Sequence, residues 1–213
     1  MCCLQAPDET RTRAVQSTHE LSRTYSSAWE NSRIGTGYAQ SKLNSPVAWC
    51  AGRNDGHQWM TIKIDLVPVQ GVGILRGNYY DTYLEGVVTQ GRGDYPQWVE
   101  AFKVQHSSDN INFVDVPGTY AHIGENGDRT HSYFPNPIRF APDRANPSAA
   151  RTQYLRLVPL TWHGHISMRA DAIVNKPDAV AIEKGTSPIY VTRAADGFDR
   201  SVTKRWDAGS DSS

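Results

Sequence analysis

The feature that most constrains this chain is a succession of short runs in which apolar and polar residues alternate. The runs extend from Tyr25 to about Asn175 and are separated by glycine, proline, asparagine and aspartate. In residues 60–66, isoleucine and leucine at every second position would share one face of a strand, opposite a lysine and an aspartate. No apolar stripe with helical spacing exceeds about two turns. The pattern predicts an all-β sandwich or barrel.

Five runs have the composition and alternation of strands: residues 60–66, 84–90, 100–106, 153–160 and 166–174. Three segments between them are rich in turn-forming residues: 107–110, 124–128 and 135–137.

The composition divides the chain into three parts. Residues 1–24 are polar and predict a loosely held N-terminal extension, while residues 25–175 form the β domain. Residues 176–213 hold few apolar residues and predict an extended C-terminal tail. Within the domain, residues 67–83 and 140–150 interrupt the strand pattern and are interpreted as inserted loops.

Charge and hydropathy exclude several classes of partner. The 213-residue chain has 22 Lys and Arg against 22 Asp and Glu, so its formal net charge is zero. Nucleic-acid binding is not expected, because contacts to phosphates need a basic excess. No run approaches the roughly 18 apolar residues of a transmembrane segment. The polar N-terminus shows no signal peptide, so we expect synthesis in the cytoplasm and leave later, non-classical export to the cell surface open.

Residues with reactive side chains give no recognisable catalytic motif, so the chain is predicted not to be an enzyme. Cys2, Cys3 and Cys50 cannot form a disulfide framework, and Cys50 lies in an apolar run that favours burial over reactivity. His163 and His165 would point the same way in an extended chain. They could bind a metal, but without further ligands at a recognisable spacing we favour hydrogen bonds to a loop.

One polar corner carries the most informative chemistry. A strand ending near Gln90 is followed by Arg92, Asp94 and Trp98 before the next strand begins. A guanidinium and a carboxylate can hydrogen-bond vicinal hydroxyls of a sugar, and an indole can cover its apolar C–H face. The alternative is that Arg92 and Asp94 pair with each other to brace a turn while Trp98 packs inside.

Motifs spread along the domain carry a family resemblance. They are residues 25–29, 32–33, 42–44, 48–51, 54–55, 58–59, 64–66, 89–92, 97–99, 102–104, 136–139, 154–156 and 159–166. In these motifs and in their order the sequence resembles the discoidin domain, the family shared by slime-mould discoidin lectins and the C-terminal domains of coagulation factors V and VIII. The likeness is greatest to the N-terminal domains of the discoidin lectins.

The resemblance implies an eight-stranded jelly-roll β-sandwich whose loops at one end form a non-catalytic binding surface. It places a galactose- or N-acetylgalactosamine-type sugar between three loops of that end. Arg92 and Asp94 would bind its hydroxyls and Trp98 would stack on it, with Asn44 and Trp29 as further contacts. No cofactor is required, although several relatives bind Ca²⁺. A similar ion near Asp55 would need about six oxygen ligands, which the sequence does not locate.

The resulting expectation is a lectin module in cell adhesion or recognition that acts in several copies, with a homo-oligomer as one way to supply them. One alternative is a phospholipid-binding module that uses Trp29, Ile34 and Tyr38 with Arg33. Another is a protein-interaction module that uses the tyrosines of residues 79–83. Residues 92–94 also spell the integrin tripeptide, but the family pattern already accounts for them, so we do not expect integrin binding.

Overall fold

The computed structural model of the chain describes residues 11–64, 83–139 and 153–177. Two single-turn 3₁₀ segments, Glu20–Ser22 and Trp29–Asn31, lie in the first range. The strands of these ranges are β1 Arg11–Gln16, β2 Arg23–Tyr25, β3 Trp49–Cys50, β4 Met60–Lys63, β5 Tyr83–Gln90, β6 Trp98–Ser107, β7 Val114–Ala121, β8 Thr130–Arg139, β9 Tyr154–His163 and β10 Ser167–Pro177.

The strands form two antiparallel sheets that pack face to face. The first has the order β1-β10-β5-β8, with β3 also paired to β10, and the second has the order β2-β4-β9-β6-β7. This architecture confirms the predicted all-β jelly-roll sandwich, with ten strands in the described residues where eight were expected. No helix among these residues has the length and apolar character needed to cross a bilayer.

The core lies between the two sheets and follows from the alternation in the sequence. On β9, Leu155 and Leu157 are fully buried, whereas Arg156 between them lies on the outer face. Phe102 of β6 and Met60 and Ile62 of β4 are fully buried in the same cluster. Each such side chain contributes about 1.5–3 kcal/mol by leaving water.

The first residues of the described chain belong to the sandwich. Strand β1 pairs with β10 from Arg11 to Gln16, and β2 pairs with β4. The sandwich therefore begins by Arg11, before the predicted boundary at Tyr25. The predicted inserts and tail lie almost wholly outside the described residues, apart from Tyr83, which starts β5, and residues 176–177, which end β10.

Five strands of the described residues lie outside the five predicted runs: β1, β2, β3, β7 and β8. Of these, β7 and β8 are edge strands that contain turn-forming residues. The turn predicted at residues 135–137 is wrong, because Pro135 and Pro137 lie within β8. Proline lacks the N–H that a central strand needs, but an edge strand can leave that position unpaired. In β7, Pro117 and Gly118, which has φ +109°, coincide with a register shift against β6. The same residues that favour a turn are thus accommodated at the edge of each sheet.

One buried arginine fixes three loops at one end of the sandwich. Arg169 of β10 donates from Nε to the carbonyl of Gly91 at 2.8 Å and from Nη1 to that of Ser45 at 2.8 Å. Its Nη2 reaches the carbonyl of Asn126 at 3.1 Å. The loops after β5, before β3 and after β7 therefore share one anchor, and they frame the region described next.

Candidate functional site

An open cleft of about 310 Å³ lies at this end of the sandwich. The residues that line it come from the loop between β2 and β3, from β3 itself, from the β5–β6 loop and from the β9–β10 turn: Trp29, Tyr38, Cys50, Arg92, Tyr95, Gln97 and His165.

The guanidinium of Arg92 is the main charged group of the cleft, and its orientation is fixed. Nε and Nη2 donate to the two carboxylate oxygens of Asp94 at 2.7 and 3.0 Å, and Nη1 donates to Oε1 of Gln97 at 2.9 Å. A guanidinium has five N–H groups, so these three bonds leave one N–H on each terminal nitrogen that binds neither side chain, with the thiol of Cys50 close by. The hydrogen bond with Asp94 raises the pKa of Arg92 and lowers that of Asp94, so both remain charged.

The β5–β6 loop presents Arg92 through a tight backbone turn. The N–H of Arg92 donates to the carbonyl of Gln97 at 2.9 Å, and the N–H of Gln97 donates to the carbonyl of Tyr95 at 2.8 Å. At Gly93, an added Cβ would lie 3.2 Å from both Nη1 of Arg169 and the carbonyl of Pro46. The loop is therefore closed across its base and packed against the arginine anchor behind it.

Aromatic side chains form the walls around this guanidinium. Its Cζ lies 5.2 Å from the ring centroid of Tyr38 and 5.6 Å from that of Tyr95. Trp29 contacts the ring of His165 edge-on, with the centroids 5.4 Å apart. Trp29 is 46% exposed and Tyr95 is 56% exposed. The cleft thus offers ring faces to a ligand beside a charged donor.

The two remaining lining groups have structural partners. Nε2 of His165 lies 2.7 Å from the carbonyl of Ala51, which agrees with the predicted loop hydrogen bond. Cys50 is buried, as predicted, and accepts a hydrogen bond from Oγ of Ser167 at 3.3 Å. Burial raises the pKa of the Cys50 thiol, which disfavours the reactive thiolate. Among the described residues, no three histidine, cysteine or acidic side chains are grouped to hold a metal.

The predicted site residues are distributed unequally. Arg92 and Trp29 line the cleft, and Asp94 binds Arg92 as in the alternative considered from the sequence. Trp98 is half-buried on β6 and stacks on His163, with centroids 4.1 Å apart and planes 12° apart, so it does not line the cleft. Asn44 is an exposed turn residue with φ +65°.

Three cleft residues escaped the sequence analysis. Tyr95 and Gln97 stand inside the corner that was singled out, between the residues chosen there. Tyr38 was considered only as a lipid contact. Gln97 could have been predicted from Arg92. The guanidinium has five N–H donors, which need more acceptors than Asp94 alone supplies.

Asp55, near which a calcium ion was considered from the sequence, is used within its own turn. Its Oδ1 accepts from the N–H of His57 at 2.9 Å and from Nε2 of Gln58 at 2.7 Å. The bond from Gln58 is the main cause of the lowered pKa of Asp55. The carboxylate therefore acts as a turn acceptor in this structure.

Known proteins resemble the chain over most of the sandwich. Residues 81–171 match the model of the F5/8 type C domain. Discoidin-2 of Dictyostelium discoideum is 31% identical over 134 residues, 62% of this chain and 47% of that protein. Human retinoschisin is 28% identical over 141 residues, 63% of this chain and 53% of that protein. The chain thus spans about half the length of these relatives.

Solved structures that are similar to this chain include recombinant discoidin II of Dictyostelium discoideum. It is 19% identical with a TM-score of 0.46 and covers 71% of this chain and 54% of its own. CpGH89CBM32-5 from Clostridium perfringens, solved in complex with GalNAc-β-1,3-galactose, is 12% identical with a TM-score of 0.47. The match covers 76% of this chain and 99% of that one.

Proposed function

We propose that this chain, whose residues 81–171 match the F5/8 type C domain, is a carbohydrate-binding module. Its cleft would hold a galactose- or N-acetylgalactosamine-type sugar. The observation that carries this proposal is the fixed orientation of the Arg92 guanidinium in the cleft. Its guanidinium is held by Asp94 and Gln97, and it retains two N–H groups for a ligand between aromatic walls.

The chemistry of the cleft suits a neutral saccharide. The two N–H groups of Arg92 are acceptor-seeking and can be satisfied by the oxygens of neighbouring hydroxyls. The exposed rings of Trp29 and Tyr95 can cover the C–H face of a pyranose. Asp94 already balances the charge of Arg92, so the ligand need not be an anion.

The rings proposed to stack on the sugar differ from Trp98, which the sequence favoured. The face of Trp98 is taken by His163. We therefore propose that Trp29 and Tyr95 contact the sugar and that Trp98 supports the loop from β6. Asp94 positions the guanidinium of Arg92 and contacts a ligand through its remaining lone pairs.

We expect a single open cleft to bind one sugar weakly, so that adhesion depends on several copies acting together. The resemblance to the discoidin lectins supports such a role in adhesion or recognition. We propose that the module acts as part of a homo-oligomer or a longer multivalent protein. Sedimentation velocity of the full chain measures the number of copies directly.

A glycan array run in calcium and in chelator tests the proposal, followed by titration with the best sugar. A matched pair of variants then locates the site. Tyr95→Ala removes a cleft tyrosine that is 56% exposed, and Tyr133→Ala removes one that is 51% exposed on β8. Weakened binding in Tyr95→Ala alone supports the assignment. Equal binding in both variants would place the sugar elsewhere, and an array without any glycan signal would reject the carbohydrate proposal.

Exposed apolar side chains at the same end favour a second candidate, binding to a phospholipid surface. Trp29 is 46% exposed, Tyr95 is 56% exposed and Ile34 of the same first loop is 39% exposed. Such side chains can enter the interfacial region of a bilayer. Sedimentation with liposomes, with and without phosphatidylserine, separates the candidates, since a lectin cleft binds neither vesicle.

The other partners considered from the sequence receive less support. The guanidinium of Arg92 and the carboxylate of Asp94 bind each other, whereas integrin recognition of a tripeptide needs both groups available. The tyrosines at residues 79 and 80 lie outside the described residues. A protein-interaction role for that insert therefore stays a prediction.

A further inference from the structure

A fully buried arginine near the start of the sandwich is surrounded by oxygen atoms. Nη1 of Arg23 donates to the carbonyl of Ser41 at 2.9 Å, to Oγ of Ser41 at 3.1 Å and to the carbonyl of Ala170 at 2.6 Å. Nη2 donates to Oγ1 and the carbonyl of Thr18 at 3.3 and 3.5 Å and also to the carboxylate of Asp171. Arg23 and Asp171 are both 0% exposed.

These acceptors form a set that hard metal cations use. Six oxygen atoms surround the two terminal nitrogens of the guanidinium, three on each: three main-chain carbonyls, two hydroxyls and one carboxylate oxygen. Ca²⁺ binds about six to eight oxygens, among them main-chain carbonyls and carboxylates. A guanidinium and a calcium ion therefore satisfy the same neighbours, although the guanidinium is tied to the chain and carries a single positive charge.

We propose that Arg23 is a tethered cation that occupies a potential calcium site and makes this part of the fold independent of metal. The proposal goes beyond the proposed function, because it concerns how the loops are held rather than what they bind. An apolar residue in place of Arg23 would remove the charged partner of the buried Asp171 carboxylate and one donor to each of three carbonyls. A buried positive charge is thus required here, and Arg23 supplies it.

The tethered cation holds together segments that are far apart in sequence. Thr18 precedes β2, Ser41 lies in the long loop before β3, and Asp171 lies on β10. The second oxygen of Asp171 also accepts from the N–H of Leu43 at 3.4 Å. Arg23 therefore fixes the long loop onto the first sheet, where Leu43 packs against residues of β5 and β10.

The same loop continues towards the cleft. The carboxylate of Glu20 accepts from the N–H groups of Ser41 and Lys42 at 3.0 and 2.9 Å and from Oγ of Ser45 at 2.8 Å. The carbonyl of Ser45 is in turn bound by the arginine anchor, Arg169, behind the cleft. Arg23 and the oxygen atoms around it, here called the Arg23 cage, thereby help to position the loop that forms one wall of the candidate site.

The test is to remove the guanidinium and supply a free cation. Melting temperatures of wild type and Arg23→Ala are measured with near-UV circular dichroism in chelator, in millimolar calcium and in low concentrations of methylguanidinium. We expect the wild type to melt at the same temperature in all three. Arg23→Ala should melt lower in chelator and recover part of the loss with calcium or methylguanidinium. Arg33→Ala, which removes an exposed arginine, should behave as the wild type does.

The decisive quantity is the difference between the calcium-induced shifts of variant and wild type. A larger shift in Arg23→Ala supports the cage, and equal shifts, including no shift in either, overturn it. If Arg23→Ala does not fold in chelator, it is refolded from urea in calcium. Recovery of native circular dichroism then supports the proposal, and failure in both buffers overturns it. None of these readouts involves a sugar, so the outcome is independent of the lectin proposal.

Discussion

Removal of the Arg92 guanidinium is the sharpest perturbation of the candidate site. Two of its N–H groups remain for a ligand after the bonds to Asp94 and Gln97. A hydrogen bond from a charged donor contributes about 1.5–3 kcal/mol. Losing only one such bond in Arg92→Ala should weaken sugar binding by about 10- to 150-fold. Arg92→Lys should also lose most of the sugar affinity, because one ammonium cannot contact Asp94, Gln97 and a sugar together.

The same change should leave the fold intact, which makes the experiment interpretable. The side chains of Arg92 and Asp94 are 15% and 46% exposed, so water replaces the lost ion pair. Pairs this exposed contribute about 1 kcal/mol or less to stability. A matched control is Arg129→Ala, which removes an exposed positive charge from the neighbouring β7–β8 loop. It should bind sugar as the wild type does.

Isothermal titration with a monovalent glycoside, or NMR titration where affinity is low, measures the effect. Each variant is also melted to confirm that it is folded. Binding by folded Arg92→Ala within about 2-fold of the wild type would refute the role given to the guanidinium. An equal loss in Arg129→Ala would show that net charge matters instead of the fixed donor geometry.

Three further predictions concern stability. Gly86→Ala would place Cβ 2.2 Å from a β8 carbonyl and should lower the melting temperature by several degrees, unlike Gly127→Ala, whose Cβ meets nothing within 4 Å. Asp171→Asn removes the buried ionic partner of Arg23 and should cost about 3–5 kcal/mol in urea unfolding. Burial lowers the pKa of His122. Stability should therefore fall as pH drops below about 6.5 towards that lower value, and His122→Gln should weaken the dependence.

The sequence was sufficient for the strands of the core. In residues 84–90, 100–106 and 166–174, apolar residues alternate or cluster, and the structure has β5, β6 and β10 there. The edge strands β7 and β8 could not be read in this way, because one face of each is exposed and prolines interrupt them. Their strand conformation depends on pairing with β6 and β5, which is a property of the assembled sheet.

The candidate site could be predicted only as a neighbourhood. Arg92 was identified because a strand end, a polar corner and a cation coincide in the sequence. The partner of each ring in that corner depends on distant residues: His163 covers Trp98, while Tyr38 arrives from another loop beside Tyr95. Local pattern does not contain these contacts, since they arise when the ends of non-adjacent strands meet in the sandwich.

The arginine anchor at Arg169 has a consequence for how this end of the domain can evolve. Arg169 donates hydrogen bonds to the main-chain carbonyls of Gly91, Ser45 and Asn126, and every amino acid has such a carbonyl. Exposed side chains on the three loops can consequently change without loosening the framework beneath them. New ligand preferences could arise by substitutions at the rim of the cleft, while a variant of Arg169 itself would disturb all three loops at once.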